Sequence, residues 1–533
     1  MPELGLCGYP PMDLLEREAF LQEIDAAVEQ IAGETQKTAL IFGAPTRNPK
    51  STGRKIFNSA ILAEEGKIVA KRHKTLLPTY DVFDEFRYFE KNMTIEPVEW
   101  RGITLGITVC EDIWYNENAI QYHVYEENPT EELCKQGADA IINISASPFT
   151  KRKPDDRLRM LSLHAGKYRI PIFYANQVGG NTELIFDGDS MILDQKGELL
   201  GRTPLFEEAH IDVEWNPQVS TFSRLDGRFT TDQLSNLPET ENRIYHALKL
   251  GLKDYLEKTG ISDKVVLGLS GGIDSAMAAA IASDTLGPEN VIAVTMPSDF
   301  SSSGSVTDSE KLAQNFGFTL HEIPIKQLYN DYISALAPLF SGTEFNVAEE
   351  NLQSRARGII LMAISNKFGY MLLNTGNKSE MAVGYATLYG DMAGGLSALS
   401  DVYKTEVFRM ARWLNESYYK REMIPQTILE KPPSAELRPD QKDTDSLPEY
   451  DIMDGILEAY IEQQKPKYNI VEMGYDPEIV DKVTRLGDMN EFKRRQSPPG
   501  LKVSEKAFGI GRRLPIVQKW TGHEKEYLDE TAQ

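Results

Sequence analysis

The sequence predicts an α/β protein with two domains, a layered α/β domain followed by a doubly wound parallel sheet. Three observations predict this. The chain has 533 residues, more than one ordinary domain contains. From residue 39 onward, short apolar runs alternate with amphipathic stretches, as in layered α/β domains. In the second half, strand and helix signals alternate regularly, which favours parallel strands joined by helices.

The composition limits the class of protein and its partners. Hydrophobic residues make up 41% of the chain, and no apolar run is long enough to span a bilayer. A formal net charge of -23 argues against nucleic acids and anionic membranes as partners, because both are bound by basic clusters. The three cysteines are spaced too widely for a disulfide or zinc framework, so we expect a cytosolic protein.

The first half carries strand signals with two longer helix signals among them. The strand signals are TALIFGAP, NSAILAEEGKIVAK, ITLGITVCED, ADAIINISASP, IPIFYANQVGG and DGDSMILDQKGELLGRT. The helix signals are LLEREAFLQEIDAAVEQIAG and DDRLRMLSLHAGKYR. This alternation predicts helices packed in layers against sheets.

Three residues of the first half have side chains suited to amide hydrolysis. Cys110 closes an apolar strand, where a thiol is exposed enough to attack a carbonyl carbon. Lys74 could stabilise an oxyanion, and Glu3 could take the thiol proton. Each residue also has a plainer explanation. Cys110 could be a small buried hydrophobe, Lys74 one charge of a basic run, and Glu3 part of a disordered terminus. Spacing alone favours these plainer explanations.

The sequence around these residues resembles the nitrilase superfamily. PELGLCGYPP, HKTLLPTY and CED match the surroundings of its Glu-Lys-Cys triad, which hydrolyses amides through a thioester. The resemblance implies a nitrilase-like αββα domain with Glu3, Lys74 and Cys110 as catalytic residues. LPTYDVFDEFRYF resembles the glutaminase members, in which Glu85 would be a supporting carboxylate. The residues implied for glutamine binding are Tyr80, Glu111, Ser147 and Arg157.

The strand signals fade after HIDVEW, where a polar segment of mixed composition begins. Its composition is too varied for a flexible Gly/Ser tether. We therefore divide the chain into a first domain of residues 1–215, a connecting segment of residues 216–240 and a second domain of residues 241–533. The first domain is the expected glutaminase.

The second half is organised around KVVLGLSGGIDS, which predicts a buried strand, a Ser-Gly-Gly turn and a helix N-terminus. Backbone N–H groups and the helix dipole bind phosphate at such a turn. The sequence lacks the Gly-Lys-Ser/Thr ending of a Walker A loop. A carboxylate at Asp274 would repel phosphate unless it holds a divalent cation. The six residues resemble the pyrophosphate loop of the ATP pyrophosphatase superfamily and are Ser270, Gly271, Gly272, Ile273, Asp274 and Ser275.

A long helix is predicted after this turn. It begins with ENLQSRAR, and Asn351 and Arg355 lie one turn apart on the same face. Another face carries apolar residues at helical spacing, which predicts a buried stripe. The residues of this stripe are Leu352, Ala356, Ile359, Ile360, Ala363 and Ile364.

Three further motifs complete the second half. YMLLNTGNKSE predicts a strand that ends before Thr375, with Glu380 just beyond it. GYATLYGDMAGG predicts a glycine-rich loop over a ligand. DVYKT places Lys404 and Thr405 where they could reach phosphate.

Together, the motifs resemble the glutamine-dependent NAD+ synthetase family. SGGIDS, ENLQSRAR, TGNKSE, GYATLYGDMAGG, DVYKT, PPSAELRPDQKD and RRQSPPGLKV follow one another in the family's order, behind the nitrilase-type domain. The resemblance covers nearly the whole chain. It implies that the second domain is an NAD+ synthetase domain with a Rossmann-like sheet of the adenine nucleotide α-hydrolase type.

The resemblance also implies the reaction and its residues. The carboxylate of nicotinic acid adenine dinucleotide (deamido-NAD+) attacks the α-phosphate of ATP, pyrophosphate leaves, and ammonia from glutamine displaces AMP to give NAD+. The implied cofactor is Mg2+, held by Asp274 and Glu380. Besides the Ser-Gly-Gly turn, the residues implied for ATP are Thr375, Lys404 and Thr405, and those implied for deamido-NAD+ are Asn351, Arg355 and Asp391. The family also implies a homo-oligomer.

Two other functions are open at this point. The chain could be a broad amidase joined to an unrelated ATP pyrophosphatase, which would form no NAD+ from deamido-NAD+, ATP and glutamine. It could also be a nucleotide-binding protein without activity, which would bind ATP and release no AMP. Every motif keeps its reactive residue, which argues against the second.

The N-terminus differs from the nitrilase pattern. The family resemblance implies a strand and a helix before the catalytic glutamate, whereas Glu3 is the third residue here. We expect from this a truncated or wrongly set start, a neighbouring strand with a bare edge and Glu3 on a fraying end. Weak glutamine-dependent activity would follow.

Overall fold

The computed structural model describes residues 1–114, 125–218, 221–224, 237–439 and 441–520. The chain forms two compact units, Met1–Glu239 and Thr240–Gln533. Most of the predicted connecting segment, residues 219–220 and 225–236, lies outside the described residues. Within the described ranges, no helix combines the length and the apolar character needed to cross a membrane.

The first unit contains a three-stranded and a six-stranded sheet. In chain order, its strands are β1 (Leu40–Arg47), β2 (Ile56–Glu64), β3 (Lys67–His73), β4 (Val98–Trp100), β5 (Ile103–Val109), β6 (Ala140–Ser145), β7 (Ile172–Asn176), β8 (Val178–Asn181), β9 (Leu184–Asp187), β10 (Met191–Leu193), β11 (Leu199–Arg202), β12 (Val213–Asn216) and β13 (Thr221–Arg224). The small sheet has the order β1-β2-β3, and the large sheet has the order β11-β10-β7-β6-β5-β4. The pairs β8-β9 and β12-β13 are separate hairpins.

Helices cover the two sheets. The helices of this unit are α1 (Glu18–Glu34), α2 (Glu85–Tyr88), α3 (Pro129–Lys135) and α4 (Lys153–Tyr168). α1 contacts β1 and β3, and α4 packs on the large sheet, where Met160 and Ile141 share one apolar cluster. Between the sheets, Leu62 of β2 packs with Ile107 of β5. This order of helix, sheet, sheet and helix confirms the predicted αββα layers.

The first residues of the chain run beside β1, an edge strand of the small sheet. The Met1 amine donates to the carbonyl oxygen of Ile41 at 2.8 Å, and the N–H of Leu6 donates to that of Gly43 at 3.3 Å. The edge that we expected to be bare therefore has hydrogen-bond partners for these two carbonyls.

The second unit is built on a five-stranded sheet. Its strands are β14 (Val265–Gly268), β15 (Val291–Thr295), β16 (Thr319–Glu322), β17 (Met371–Asn374) and β18 (Leu396–Ser397). Their order is β16-β15-β14-β17-β18, and every neighbouring pair is parallel. The order reverses between β14 and β17, so the crevice at the carboxyl ends of these two strands is where a doubly wound sheet binds ligands. The predicted fold class is thus confirmed for this unit too.

The helices of the second unit pack against the sheet and form a helical region after it. They are α5 (Thr240–Thr259), α6 (Ile273–Leu286), α7 (Ser303–Phe316), α8 (Lys326–Phe340), α9 (Val347–Phe368), α10 (Lys378–Val383), α11 (Lys404–Trp413), α12 (Gln426–Glu430), α13 (Tyr450–Leu457), α14 (Lys467–Glu472), α15 (Pro477–Met489) and α16 (Glu491–Arg494). α6, directly behind the Ser-Gly-Gly turn, is buried along most of its length. α13 and α15 share an apolar cluster that includes Met453 and Val483.

The predicted buried stripe of α9 is confirmed only in part. Ala356 is buried, but Ile359 is 57% exposed and Ala363 is exposed as well. Ile360 and Ile364 pack against the apolar cluster of the sheet, and Gln353 and Gly358 are buried as well. α9 has apolar side chains on more than one side, so the spacing of apolar residues could not define the whole buried face.

Candidate active sites

The first unit brings Glu3, Lys74 and Cys110 into one buried cluster. Cys110 follows β5 directly and begins a 3-10 turn with a φ of 44°. A non-glycine residue in this left-handed region is strained, and such residues are concentrated at functional sites. Lys74 follows β3, and its Nζ lies 2.7 Å from Glu3 Oε1.

Glu3 is held firmly, so the expectation of a fraying end is wrong. Besides Lys74, Asn58 Nδ2 donates to Glu3 Oε1 at 2.6 Å, and the N–H of Ala146 donates to Oε2 at 3.1 Å. A buried carboxylate is stable only with such partners. Glu3 is therefore fixed inside the cluster by contacts with β2 and the end of β6.

Glu85, predicted as a supporting carboxylate, joins the cluster from the start of α2. Its Oε1 accepts hydrogen bonds from Lys74 Nζ at 2.6 Å and from the Tyr9 hydroxyl at 2.7 Å. Burial raises the pKa of Glu85 to about 7, although the Lys74 ammonium opposes this. The Lys74 ammonium, which contacts both Glu3 and Glu85, therefore offsets part of the cost of burying two carboxyl groups together.

The charges of the cluster define its resting state. Burial, followed by the Glu3 carboxylate, raises the pKa of the Cys110 thiol well above its usual value. Burial alone would lower the pKa of Lys74, but Glu3 and Glu85 outweigh it and raise that pKa. A neutral thiol thus lies with an ammonium and carboxylates, and it needs a base to become nucleophilic.

Two of the predicted glutamine-binding residues meet next to Cys110. The Tyr80 hydroxyl donates to Glu111 Oε1 at 2.9 Å, and the Tyr125 hydroxyl donates to the same oxygen at 3.0 Å. Ser147 is buried after β6, and its N–H donates to Asn176 Oδ1 at 2.9 Å.

Arg157 has a different environment from the one predicted. Its Nη1 lies 3.0 Å from Asp187 Oδ2 and 2.8 Å from Asp189 Oδ2, and all three side chains are fully buried. The charge of Arg157 is already compensated inside the unit, which favours a structural role. A contact with glutamine stays a prediction.

Sequence reasoning missed several residues that organise this cluster. Asp112 accepts hydrogen bonds from the N–H groups of Thr75, Leu76 and Val109 at 2.9, 2.8 and 3.1 Å, which joins the Lys74 loop to the Cys110 turn. The Cys-Glu-Asp motif could have identified Asp112 from the sequence. No sequence pattern identified Asn58, because its partner Glu3 is 55 positions away in the chain.

We expect Asn58→Leu to lower glutamine hydrolysis by roughly 10- to 100-fold, because hydrogen bonds to charged groups contribute about 1.5–3 kcal/mol. The Asn58 amide donates to both Glu3 and Glu85, at 2.6 and 3.3 Å. Glutamate release measures the effect. Asn48→Leu is the control, since the Asn48 amide donates to the loop carbonyl of Arg54. Equal glutaminase rates for Asn58→Leu and the control would remove Asn58 from the site.

The Ser-Gly-Gly turn of the second unit is open towards a cavity of about 500 Å³ at the carboxyl ends of β14 and β17. Gly272 precedes α6 and provides no side chain to cap its N–H groups. Gly271 has a φ of 75°, and a Cβ there would lie 2.4 Å from the carbonyl oxygen of Ser305, so only glycine fits. The N–H groups of Ser270 and Gly272 donate to the hydroxyls of Ser275 and Ser270, both at 3.2 Å, and the N-cap provides no side-chain cap to α6. A helix N-terminus without such a cap suits phosphate.

One ammonium joins the two carboxylates that the sequence predicted as metal ligands. Lys404 Nζ contacts Asp274 Oδ2 and lies 3.4 Å from Glu380 Oε1. Asn377 Nδ2 donates to Asp274 Oδ1 at 3.1 Å. Burial raises the pKa of Glu380 to about 8, against the opposing effect of Lys404. The strand-end motifs after β14 and β17 and the start of α11 thus meet at one point.

The remaining predicted residues divide into two groups. Thr375, Asn351 and Asp391 line the cavity. Arg355 Nε instead donates to the carbonyl oxygen of Leu388 in the glycine-rich loop at 3.2 Å. The N–H of Thr405 donates to Asp454 Oδ2 at 3.0 Å. Neither Arg355 nor Thr405 is among the described residues that line the cavity.

Asp391 fastens the glycine-rich loop to α9. Its Oδ1 accepts the N–H of Thr387 at 2.7 Å, and its Oδ2 accepts the Ser354 hydroxyl at 3.2 Å. The Thr387 hydroxyl donates to Asn351 Oδ1 at 2.8 Å. The loop is therefore positioned over the cavity by the polar face of the helix that begins with ENLQSRAR.

Asp454 was not singled out from the sequence. It accepts the Ser379 hydroxyl at 2.5 Å, and Ser379 Oγ in turn accepts the N–H of Lys404 at 2.9 Å. With its bond to Thr405, Asp454 fixes the start of α11 from the distant helix α13. No local pattern around Asp454 marks this role.

Residues 1–221 match the carbon-nitrogen hydrolase family, and residues 244–497 match the NAD synthase family. The glutamine-dependent NAD(+) synthetase of Synechocystis sp. is 46% identical over 522 residues, which covers 97% of this chain and 92% of that protein. That of Thermotoga maritima is 40% identical over 550 residues, covering 97% and 92%.

A solved structure is similar over the same length. The glutamine-dependent NAD+ synthetase from Acinetobacter baumannii, in complex with ADP, has a TM-score of 0.75 at 38% sequence identity and covers 98% of this chain and 92% of that chain. The two family matches divide the chain into the same two halves as its compact units. The chain belongs to the glutamine-dependent NAD(+) synthetases.

Proposed function

We propose that the chain makes NAD+ by adenylating deamido-NAD+ with ATP and amidating the adenylate with ammonia that its first unit releases from glutamine. The observation that supports this most is the pairing in one chain of two sites. One is the buried cluster of Glu3, Lys74 and Cys110, and the other is the phosphate-type turn at the switch point of a doubly wound sheet. An amide-hydrolysing site alone would not account for the second unit, and a nucleotide site alone would not account for the first.

In the glutaminase half, Cys110 Sγ attacks the amide carbon of glutamine while Glu3 takes the thiol proton. Lys74 stabilises the oxyanion of the tetrahedral intermediate. The C–N bond then breaks, ammonia leaves with the proton from Glu3, and a glutamyl thioester remains. Water hydrolyses this thioester with Glu3 again as base. Tyr80, Glu111 and Ser147 are the proposed glutamine-binding residues.

In the synthetase half, the backbone N–H groups of residues 270–275 would hold the phosphates of ATP, with Thr375 and Lys404 beside them. The deamido-NAD+ carboxylate attacks the α-phosphorus and the bond to pyrophosphate breaks. Ammonia then attacks the carbonyl carbon of the adenylate and AMP leaves. Asn351 and Asp391 are proposed for deamido-NAD+ because they line the same cavity. Roles for Arg355 and Thr405 in substrate binding stay predictions.

Mg2+ fits the residues at this site. Asp274 and Glu380 lie in the first turns of α6 and α10, the helices that follow β14 and β17, and already share one cation, the Lys404 ammonium. Among the described residues no group of three or more acidic, His or Cys side chains could hold a metal ion. Water and phosphate oxygens would therefore complete the coordination, as is usual for Mg2+. A bound Mg2+ would neutralise charge on the leaving pyrophosphate.

The domain assignment is proposed as residues 1–215 for the glutaminase, 216–240 for the connection and 241–533 for the synthetase. The division into compact units at residue 239 and the family matches support it. A cytosolic location stays a prediction.

We also propose that the chain forms a homo-oligomer through α8 and α9. No residue of α8 is buried in the single chain. The large apolar side chains exposed on and between these helices are Leu328, Leu339, Phe345, Val347, Ile359, Met362 and Phe368. The two helices contact each other, and large apolar side chains exposed on neighbouring helices favour a protein interface. Ile359 of the predicted stripe belongs to this set.

Ile359→Glu should reduce the mass of the particle in solution, because a carboxylate would be buried in the interface without a partner. Multi-angle light scattering after gel filtration measures this mass. Ile261→Glu is the matched control, since Ile261 is 58% exposed and lies outside α8 and α9. A wild-type monomer, or an oligomer that Ile359→Glu leaves intact, would contradict this interface.

The function is tested by following NAD+, AMP and glutamate in one reaction with deamido-NAD+, ATP and glutamine. An amidase joined to an unrelated ATP pyrophosphatase would release glutamate without forming NAD+. A nucleotide-binding protein without activity would release no AMP. Formation of all three products supports the proposal.

A further inference from the structure

The Lys404 ammonium occupies the position between the two proposed metal ligands. It contacts Asp274 Oδ2 and lies 3.4 Å from Glu380 Oε1. Lys404 is also the first residue of α11, and the positive end of a helix dipole disfavours an ammonium. The two carboxylates therefore keep the Lys404 ammonium at the start of α11, although the dipole of that helix disfavours a positive charge there.

The surroundings explain why a cation must be present. The side chains of Asp274 and Glu380 are only 15% and 20% exposed, and both lie against the same ammonium. Two carboxyl groups that lie this close together and are largely removed from water are stabilised by a positive charge between them. In the chain without ligands, Lys404 provides this charge.

A divalent cation and the Lys404 ammonium cannot share the position, because like charges repel strongly in a buried site. If the metal enters, Lys404 must leave the carboxylates. Lys404 is only 4% exposed, so a displaced ammonium without a new partner would be costly. The nearest feature suited to an anion is the turn of residues 270–275, where a nucleotide phosphate would provide that partner.

We propose that Lys404 is the resident cation of the Asp274–Glu380 site, and that a divalent cation enters only together with a nucleotide phosphate that accepts the displaced ammonium. This inference rests on the proposed ATP-dependent function of the same site. It adds that the metal ion and the nucleotide bind together, so that Asp274 and Glu380 always have a cation between them.

The test measures binding of Mn2+ to the full chain by the electron paramagnetic resonance signal of free Mn2+. Without nucleotide, the wild type should bind Mn2+ weakly, and Lys404→Met should bind it about tenfold or more tightly. A non-hydrolysable ATP analogue should tighten binding strongly in the wild type and much less in Lys404→Met. Thermal melting of each variant confirms folding, and Lys404→Gln replaces a variant that does not fold.

Two controls locate the effect. Lys431→Met removes another ammonium that lines the cavity, one that lies 2.6 Å from Glu436 Oε1, and should leave Mn2+ binding unchanged. Adding Asp274→Asn to Lys404→Met should abolish the gain. Tight nucleotide-independent binding to the wild type, or weaker binding to Lys404→Met, would overturn the inference. Failure of the wild type to form NAD+ would instead overturn the proposed function.

Discussion

Cys110→Ala should abolish glutamine-dependent NAD+ formation and leave ammonium-dependent formation largely intact. Alanine removes the sulfur atom that forms the thioester in the proposed mechanism, while the proposed synthetase residues lie in the second unit. Loss of a catalytic nucleophile lowers turnover by roughly 10⁴-fold or more. Parallel assays of NAD+ with glutamine and with ammonium as nitrogen donor measure both effects.

Cys134→Ala is the matched control for the loss of a thiol. Cys134 lies on α3, and burial together with the Glu131 carboxylate raises the pKa of its thiol to about 11. We expect the control to keep glutamine-dependent activity. Retained glutaminase activity in Cys110→Ala would remove this thiol from the mechanism.

Replacing Asp274 or Glu380 by Ala should depress NAD+ formation with both nitrogen donors. In the proposed mechanism both carboxylates serve the ATP step, which precedes the attack of ammonia whatever its source. Loss of a metal contact should lower the rate on the order of 10²-fold or more. The measurement is the rate of AMP release with ammonium, as a function of Mg2+ concentration.

Glu322→Ala is the control for this pair. Glu322 ends the outer strand β16 and is exposed to solvent, so its loss should leave the rate unchanged. An unchanged rate and Mg2+ requirement in the Asp274 and Glu380 variants would contradict their assignment as metal ligands. Glutaminase activity should persist in both, since the first unit is untouched.

The sequence predicted the parts of the sites that depend on local pattern. Cys110 stands at a strand end, and Gly271 sits in a strand-turn-helix motif where only glycine fits. Both can be identified from neighbouring residues alone. The layers of each unit followed from the alternation of strands and helices in the same way.

Contacts between distant segments could not be predicted in this manner. Asn58 reaches Glu3, and Asp454 reaches the start of α11, across long stretches of chain. The ion pair of Arg157 with Asp187 inside the unit was not visible in the sequence either. Glu3 was expected to fray because only its position in the sequence was visible, and not the donors around it.

The central claim is that one chain couples glutamine hydrolysis to ATP-dependent amidation of deamido-NAD+. The most direct test supplies the wild type with deamido-NAD+, ATP, Mg2+ and glutamine and quantifies NAD+, AMP, pyrophosphate and glutamate over time. The account predicts that NAD+, AMP and pyrophosphate form in equal amounts, and that no NAD+ forms when ATP is omitted. Glutamate and AMP that accumulate without NAD+ would contradict it.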